Sequence, residues 1–233
     1  MKPQEPPRRR VPLAVKLVCT AFVALLVPVY LREYGPTNFG YFCDVALLMT
    51  VPALWLESPL LASAPLIGIF VPQTVWGVDF LSTLAGHPLT GMTGYMFDGT
   101  LSLFTRFLSF FHFWLPLFLL WLVARLGYDR RALVLWSAIA WVLMIVSYTA
   151  LPPPPAPDGK AWMPVNVNYV YGFRAAGPQM WMPSLQYFLL FATVLQLLIF
   201  LPTHLAMAWL MPAASKKSGP AWPGATAVAH EPG

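Results

Sequence analysis

Five polar side chains lie inside otherwise apolar stretches of this chain: Cys43, Asp44, Gln73, Asp79 and His112. A charge at the middle of a membrane helix costs about 2.5–3.5 kcal/mol on insertion scales, so each needs a reason to be there. Together with the loop segment Asn166-Val167-Asn168-Tyr169, they supply a thiol, an imidazole, two carboxylates and several amides. These types allow nucleophilic, acid–base or polar-ligand chemistry. Each also has a plainer reading. A His among aromatic residues (Phe110-Phe111-His112-Phe113-Trp114) is most often a hydrogen-bonding packing group. A lone Cys is usually a small buried hydrophobe. Asp44 and Asp79 near span ends can reach interfacial water, and Asp44 also suits the positive end of a helix.

Other chemistries find little support. No HxxxH, ExxH or CxxC spacing accompanies the Cys, His and Asp residues, so no metal is expected. No Walker loop, nucleophile elbow or dinucleotide glycine pattern occurs, and no cofactor is expected. Cys19 lies about 18 Å below the end of its span at 1.5 Å per residue, too deep to form a disulfide with Cys43.

The elements that must position these groups follow from composition. The 233 residues are 58% apolar and only 10% charged, against roughly 25% charged in an ordinary soluble domain. That excludes a soluble globular enzyme, intrinsic disorder and a disulfide scaffold. The expected fold is all-α: a polytopic membrane helix bundle of about six transmembrane helices, at residues 13–31, 39–56, 60–81, 101–126, 132–151 and 183–211. Several carry proline kinks, through Pro28, Pro52, Pro65, Pro72, Pro116 and Pro202. Residues 1–12 and 212–233 read as disordered tails flanking a membrane domain at 13–211. The first apolar run is long for a signal peptide and lacks a small-x-small cleavage pattern, so an uncleaved span is expected.

The net charge of +5 does not mark a nucleic-acid protein, because no basic stripe interleaves with stacking aromatics. The 14 Lys and Arg residues instead cluster at span ends. With the amino terminus inside, ten lie inside and only Arg32, Arg106, Lys160 and Arg174 outside. This predicts a multi-pass protein of the cell membrane with both termini cytoplasmic. Membrane lipids are the expected partners. The intramembrane polar residues then fall in the outer half of the bilayer or near its midplane, which suggests a shared polar cavity opening outward.

Read in order, these pieces resemble the bacterial YwaF-like integral membrane proteins, related to the transmembrane protein 164 family. Tyr41-Phe42-Cys43-Asp44-Val45-Ala46-Leu47 is similar to that family's P-L-H-L-C-D-I segment, with Tyr41 where the family has His. Gln73 and Asp79 keep its Q-x-x-x-x-x-D spacing. Phe107 to Pro116, with His112, is similar to F-F-x-S-H-x-x-x-x-x-P, and Asn166 to Tyr169 to an N-x-N-Y loop. Gly177 to Pro183 with Tyr187 resembles its closing G-P-W-P-x-Y pattern.

The resemblance implies acyl-group chemistry inside the membrane, as an acyltransferase or lipid hydrolase. Cys43 would be its nucleophile and His112 its general base, with Asp44 or Asp79 orienting the imidazole and Asn168 offering an oxyanion donor. The alternatives are a small-molecule or lipid binder, a transporter whose protonatable groups are Asp44, Asp79 and His112, or a structural bundle whose polar residues only pack helices.

Overall fold

The computed structural model describes residues 11–156, 164–173 and 177–214. The expected tails therefore lie largely outside the described residues, as do Lys160, Arg174, Lys216 and Lys217. The chain is helical, and among the described residues the one extended pairing is a bridge between Tyr128 and Ala213. Helix α1 spans Leu13–Glu33, α2 Phe42–Trp55, α3 Pro59–Leu84, α4 Leu103–Leu108, α5 Phe111–Leu126, α6 Ala132–Thr149, α7 Ser184–Val194 and α8 Leu201–Leu210. Among the described residues, five stretches are long and apolar enough to cross a membrane, with α4–α5 forming one and α7–α8 another. The protein is an integral membrane helix bundle.

The second pass is shorter than expected. Helix α2 has 14 residues, about 21 Å at 1.5 Å per residue, against a hydrocarbon core of about 30 Å. A 3-10 turn at Pro36–Gly40 delays its start, and Glu57-Ser58-Pro59 ends it. It nevertheless returns the chain to the level at which α1 begins. Glu57 Oε1 receives Lys16 Nζ at 2.8 Å and the Val11 amide at 3.3 Å, and Trp55 Nε1 donates to Thr20 Oγ1 at 2.9 Å. Six passes result, and the described ends of the chain share one face. On that face the Tyr128 amide donates to Pro212 O and the Ala214 amide to Tyr128 O. The opposite face, here the loop face, carries the connections after α1, α3 and α6.

Helix α3 is the hub, with 61% of its most apolar stretch buried against 28% for α1 and α6. It packs against α2, α5 and α6. Gly68 makes the α6 contact possible, since a Cβ there would lie 1.7 Å from Cε2 of the fully buried Trp136. The outward faces of the other helices, with Val18, Leu117, Val134, Val142 and Leu198 exposed, suit lipid.

Two irregularities depart from the expected continuous spans. The fourth pass breaks at Ser109 and Phe110, so α5 begins afresh at Phe111. The last pass contains a π segment, Leu195–Phe200, just before Pro202. A proline removes one helical donor and pushes away the preceding turn, and a wider turn accommodates both.

Candidate functional site

The break between α4 and α5 decides where His112 sits. A continuous span from residue 101 would bury it eleven residues deep, well below Cys43. Instead His112 is the second residue of α5, as Cys43 is the second of α2. Measured from the opposite helix ends, Cys43 lies twelve residues above Trp55, Gln73 fourteen above Pro59 and His112 fourteen above Leu126. These separations correspond to about 18, 21 and 21 Å. By helix rise the three groups lie at similar depths, in the loop-side halves of their helices.

Around Asp44 the first turn of α2 is polar and closed. Asp44 is 3% exposed. Its Oδ2 accepts Asn38 Nδ2 at 3.2 Å and faces Cys43 Sγ at 3.7 Å, while Oδ1 is buried with no partner. Asn38 comes from the 3-10 turn ahead of the helix, outside the residues singled out by sequence. Gln73, likewise 3% exposed, has both side-chain amide atoms buried and unpartnered. Leaving such a group unsatisfied costs about 1–3 kcal/mol, so these atoms mark where a polar occupant would be stabilised.

His112 is held in a defined orientation. Its Nδ1 lies 2.7 Å from Ser109 O, and its ring stacks on Trp76 with centroids 4.6 Å apart. A carbonyl can only accept, so Nδ1 carries the hydrogen and Nε2 of the neutral ring keeps its lone pair. Ser109 in turn exchanges a 2.7 Å hydrogen bond with Tyr30 OH, tying α1 to the same break. Among the described residues no hydrogen bond joins Cys43 to His112. The thiol pairs with Asp44, and the imidazole with Ser109.

Asp79 does different work. Its Oδ1 accepts the amides of Leu89 at 3.0 Å, Thr90 at 2.6 Å and Gly91 at 3.3 Å. Its Oδ2 accepts the Thr93 amide at 3.1 Å and the Thr93 hydroxyl at 2.6 Å. Five donors fill this fully buried carboxylate, which thus organises the loop between α3 and α4. It is not hydrogen-bonded to His112, and its lone pairs are already engaged.

The Asn166–Tyr169 segment is likewise tied into the fold by hydrogen bonds. Asn166, Asn168 and Tyr169 adopt positive φ of 53°, 58° and 60°, a conformation Asn tolerates better than most residues. Asn168 Oδ1 caps α2 by accepting the Phe42 amide at 3.0 Å. Its Nδ2 donates to Gly40 O at 2.8 Å and Ser147 Oγ at 3.4 Å, so both amide hydrogens are engaged and none is left for an oxyanion. Asn166 closes its own turn through Gly172 O at 2.7 Å and the Tyr171 amide at 2.9 Å. The carbonyl of Tyr169 accepts Tyr187 OH at 3.3 Å, and Tyr41 OH donates to Val165 O at 3.4 Å. Burial pushes the Tyr41 and Tyr169 hydroxyls up, keeping them protonated.

Among the described residues no group of three His, Cys, Asp or Glu side chains could hold a metal ion. The sequence therefore predicts a larger polar set than the structure leaves open. Asp79, Asn166 and Asn168 have their polar groups engaged in holding loops. Cys43, Asp44, Gln73 and His112 retain unengaged polar atoms or lone pairs at similar depths. No protein-family model, curated protein or solved structure matches this chain.

Proposed function

We propose that this is a multi-pass protein of the cell membrane, with both termini cytoplasmic, whose loop-face polar cluster carries out acyl transfer or lipid hydrolysis. In this reading it is a divergent member of the YwaF-like group. Cys43 is the nucleophile and His112 the general base. The observation that carries the reading is the His112 tautomer: Nδ1–H on Ser109 O leaves Nε2 as a proton acceptor, at the helix level of Cys43.

The reaction follows ordinary thiol chemistry. His112 Nε2 takes the thiol proton, and the thiolate adds to the ester carbonyl of a lipid. The tetrahedral intermediate expels the alcohol, which recovers the proton from His112, leaving an acyl thioester on Cys43. Water or a second alcohol then attacks the thioester, again with His112 as base, and the thiol is restored. Bonding geometry in an unliganded site often tightens only with substrate present. Asp44 holds the thiol side chain until then.

A thiol-reactive probe with an acyl tail tests this in bilayer nanodiscs. Wild type should label at Cys43, and His112→Gln should label at least tenfold more slowly. Equal labelling of Cys43→Ala would end the proposal. A second reading, a non-enzymatic binder of a small polar molecule or lipid headgroup, is favoured by the unpartnered Gln73 amide. It predicts that ligand binding is lost in Gln73→Leu and kept in Cys43→Ala.

A further inference from the structure

Arg106 belongs to neither the cluster above nor the termini face. It lies on α4, at the loop face, beside a pocket of about 460 Å³. Five phenylalanines line that pocket: Phe80 from α3, Phe97 from the 3-10 turn Gly94–Phe97, and Phe104, Phe107 and Phe110 from α4 and the break after it. Phe104 and Phe107 are 50% and 67% exposed, and Leu103 is 77% exposed, so the pocket opens sideways where the bilayer would be. A pocket of this size takes a lipid headgroup and the start of one acyl chain, with the rest of the lipid left in the bilayer.

The guanidinium is incompletely matched. Arg106 NH1 donates to Met96 O at 3.2 Å, while Nε is buried with no partner. Among the described residues no carboxylate forms an ion pair with it. Ion pairs among the described residues include Lys16–Glu57, Arg32–Glu33 and Arg131–Asp129. Asp98 makes no ion pair with Arg106 and instead accepts the amide and hydroxyl of Thr100 on Oδ1, each at 2.8 Å. A cation bordered by lipid-facing aromatic rings is costly unless an anion meets it.

We propose that this pocket binds a single anionic phospholipid of the surrounding leaflet. Its phosphate sits on the Arg106 guanidinium, whose planar fork matches phosphate oxygens. One of its acyl chains lies across Phe104, Phe107 and Phe110. A net-negative headgroup is preferred over a zwitterionic one, because the latter brings its own cation to compete with Arg106. The site stands independently of the acyl-transfer reading, since none of its lining residues belongs to the Cys43 cluster.

Native mass spectrometry of the full chain, released from nanodiscs of equal phosphatidylglycerol and phosphatidylcholine, provides the test. Wild type should retain one phosphatidylglycerol at least fivefold over phosphatidylcholine. Arg106→Gln should lose that preference with its thermal unfolding unchanged, whereas Arg106→Lys should keep part of it. Equal retention of both lipids by wild type overturns the proposal without any variant, and so does an undiminished preference in folded Arg106→Gln. Cys43→Ala should retain lipid as wild type does, so failure of the acyl chemistry and failure of this site give different results.

Discussion

Replacing Asp79 by Asn removes a charge without changing shape, and the structure specifies what should follow. Five donors converge on this buried carboxylate from residues 89–93. Asn keeps one acceptor oxygen. Turned toward the three amides of Leu89, Thr90 and Gly91, it preserves those bonds but makes them neutral, losing on the order of 1 kcal/mol each. Its NH2 then faces the Thr93 amide, donor against donor, which costs about 1–3 kcal/mol more. The Thr93 hydroxyl can rotate to accept, and relieving a buried charge returns part of the loss. The balance is a weakening of the loop by about 3 kcal/mol, equivalent to roughly a hundredfold rise in local opening at 1.4 kcal/mol per decade. Hydrogen exchange of the 89–93 amides in nanodiscs reads this directly, with helix α6 as an internal control. If those amides exchange within threefold of wild type, Asp79 does not hold the loop and the assignment fails. Slower thiol labelling in Asp79→Asn without loop opening would instead restore a direct part in the chemistry.

Asn168→Ala should destabilise the protein by about 4 kcal/mol, combining three hydrogen bonds at about 1 kcal/mol each with about 1 kcal/mol of left-handed strain. Asn168→Gly should recover only the strain component, about 1 kcal/mol, and wild-type thermal stability in Asn168→Ala would contradict the capping role. Asp129, in the turn before α6, is held below the usual carboxylate range by hydrogen bonds from Arg131, with Arg131 NH2 2.7 Å from Oδ2. Because its folded value is depressed, its contribution to stability is full above the ordinary carboxylate value of about 3.9 and is lost as pH falls through the folded value. Arg131→Gln should move the Asp129 titration midpoint, followed by carboxyl NMR, up toward that ordinary value, and an unmoved midpoint would contradict the pairing.

The passes were legible because lipid demands long apolar runs, and their ends match the expected spans to within a few residues. What escaped the sequence was where a run is interrupted. Ser102 does announce a helix start, since its hydroxyl accepts the Thr105 amide at 3.0 Å, but nothing in Phe107 to Phe113 announces a stop. At that stop Ser109 meets Tyr30 from α1, a contact 79 residues distant in sequence. The π segment before Pro202 is similarly a packing outcome, one of several responses a helix has to proline. The shortness of α2 was half legible, in Gly35-Pro36 ahead of it and Glu57-Ser58-Pro59 behind.

The candidate site shows a different limit. Residue type located the unusual side chains, since so few polar groups occur, but type alone could not say which already had partners. Asp79 and Asp44 are both buried acids near the loop face, and hydropathy treats them alike. Asp79 precedes a Gly/Thr-rich loop whose backbone amides can wrap a carboxylate, whereas Asp44 begins a helix beside a thiol. One carboxylate is consequently filled by five donors, and the other keeps an oxygen with none. The Asn pair had its own signal, because Asn-x-Asn favours left-handed turns; Asn166 closes such a turn, while Asn168 reaches out to cap α2. Within a membrane, a polar group with every partner satisfied is a structural fixture, while an unsatisfied one keeps a free-energy gain available to an incoming ligand. Among the polar residues that stand out in the sequence, that criterion leaves Asp44 and Gln73, flanked by Cys43 and His112, and it adds Arg106, which composition counts only as one of the outer charges.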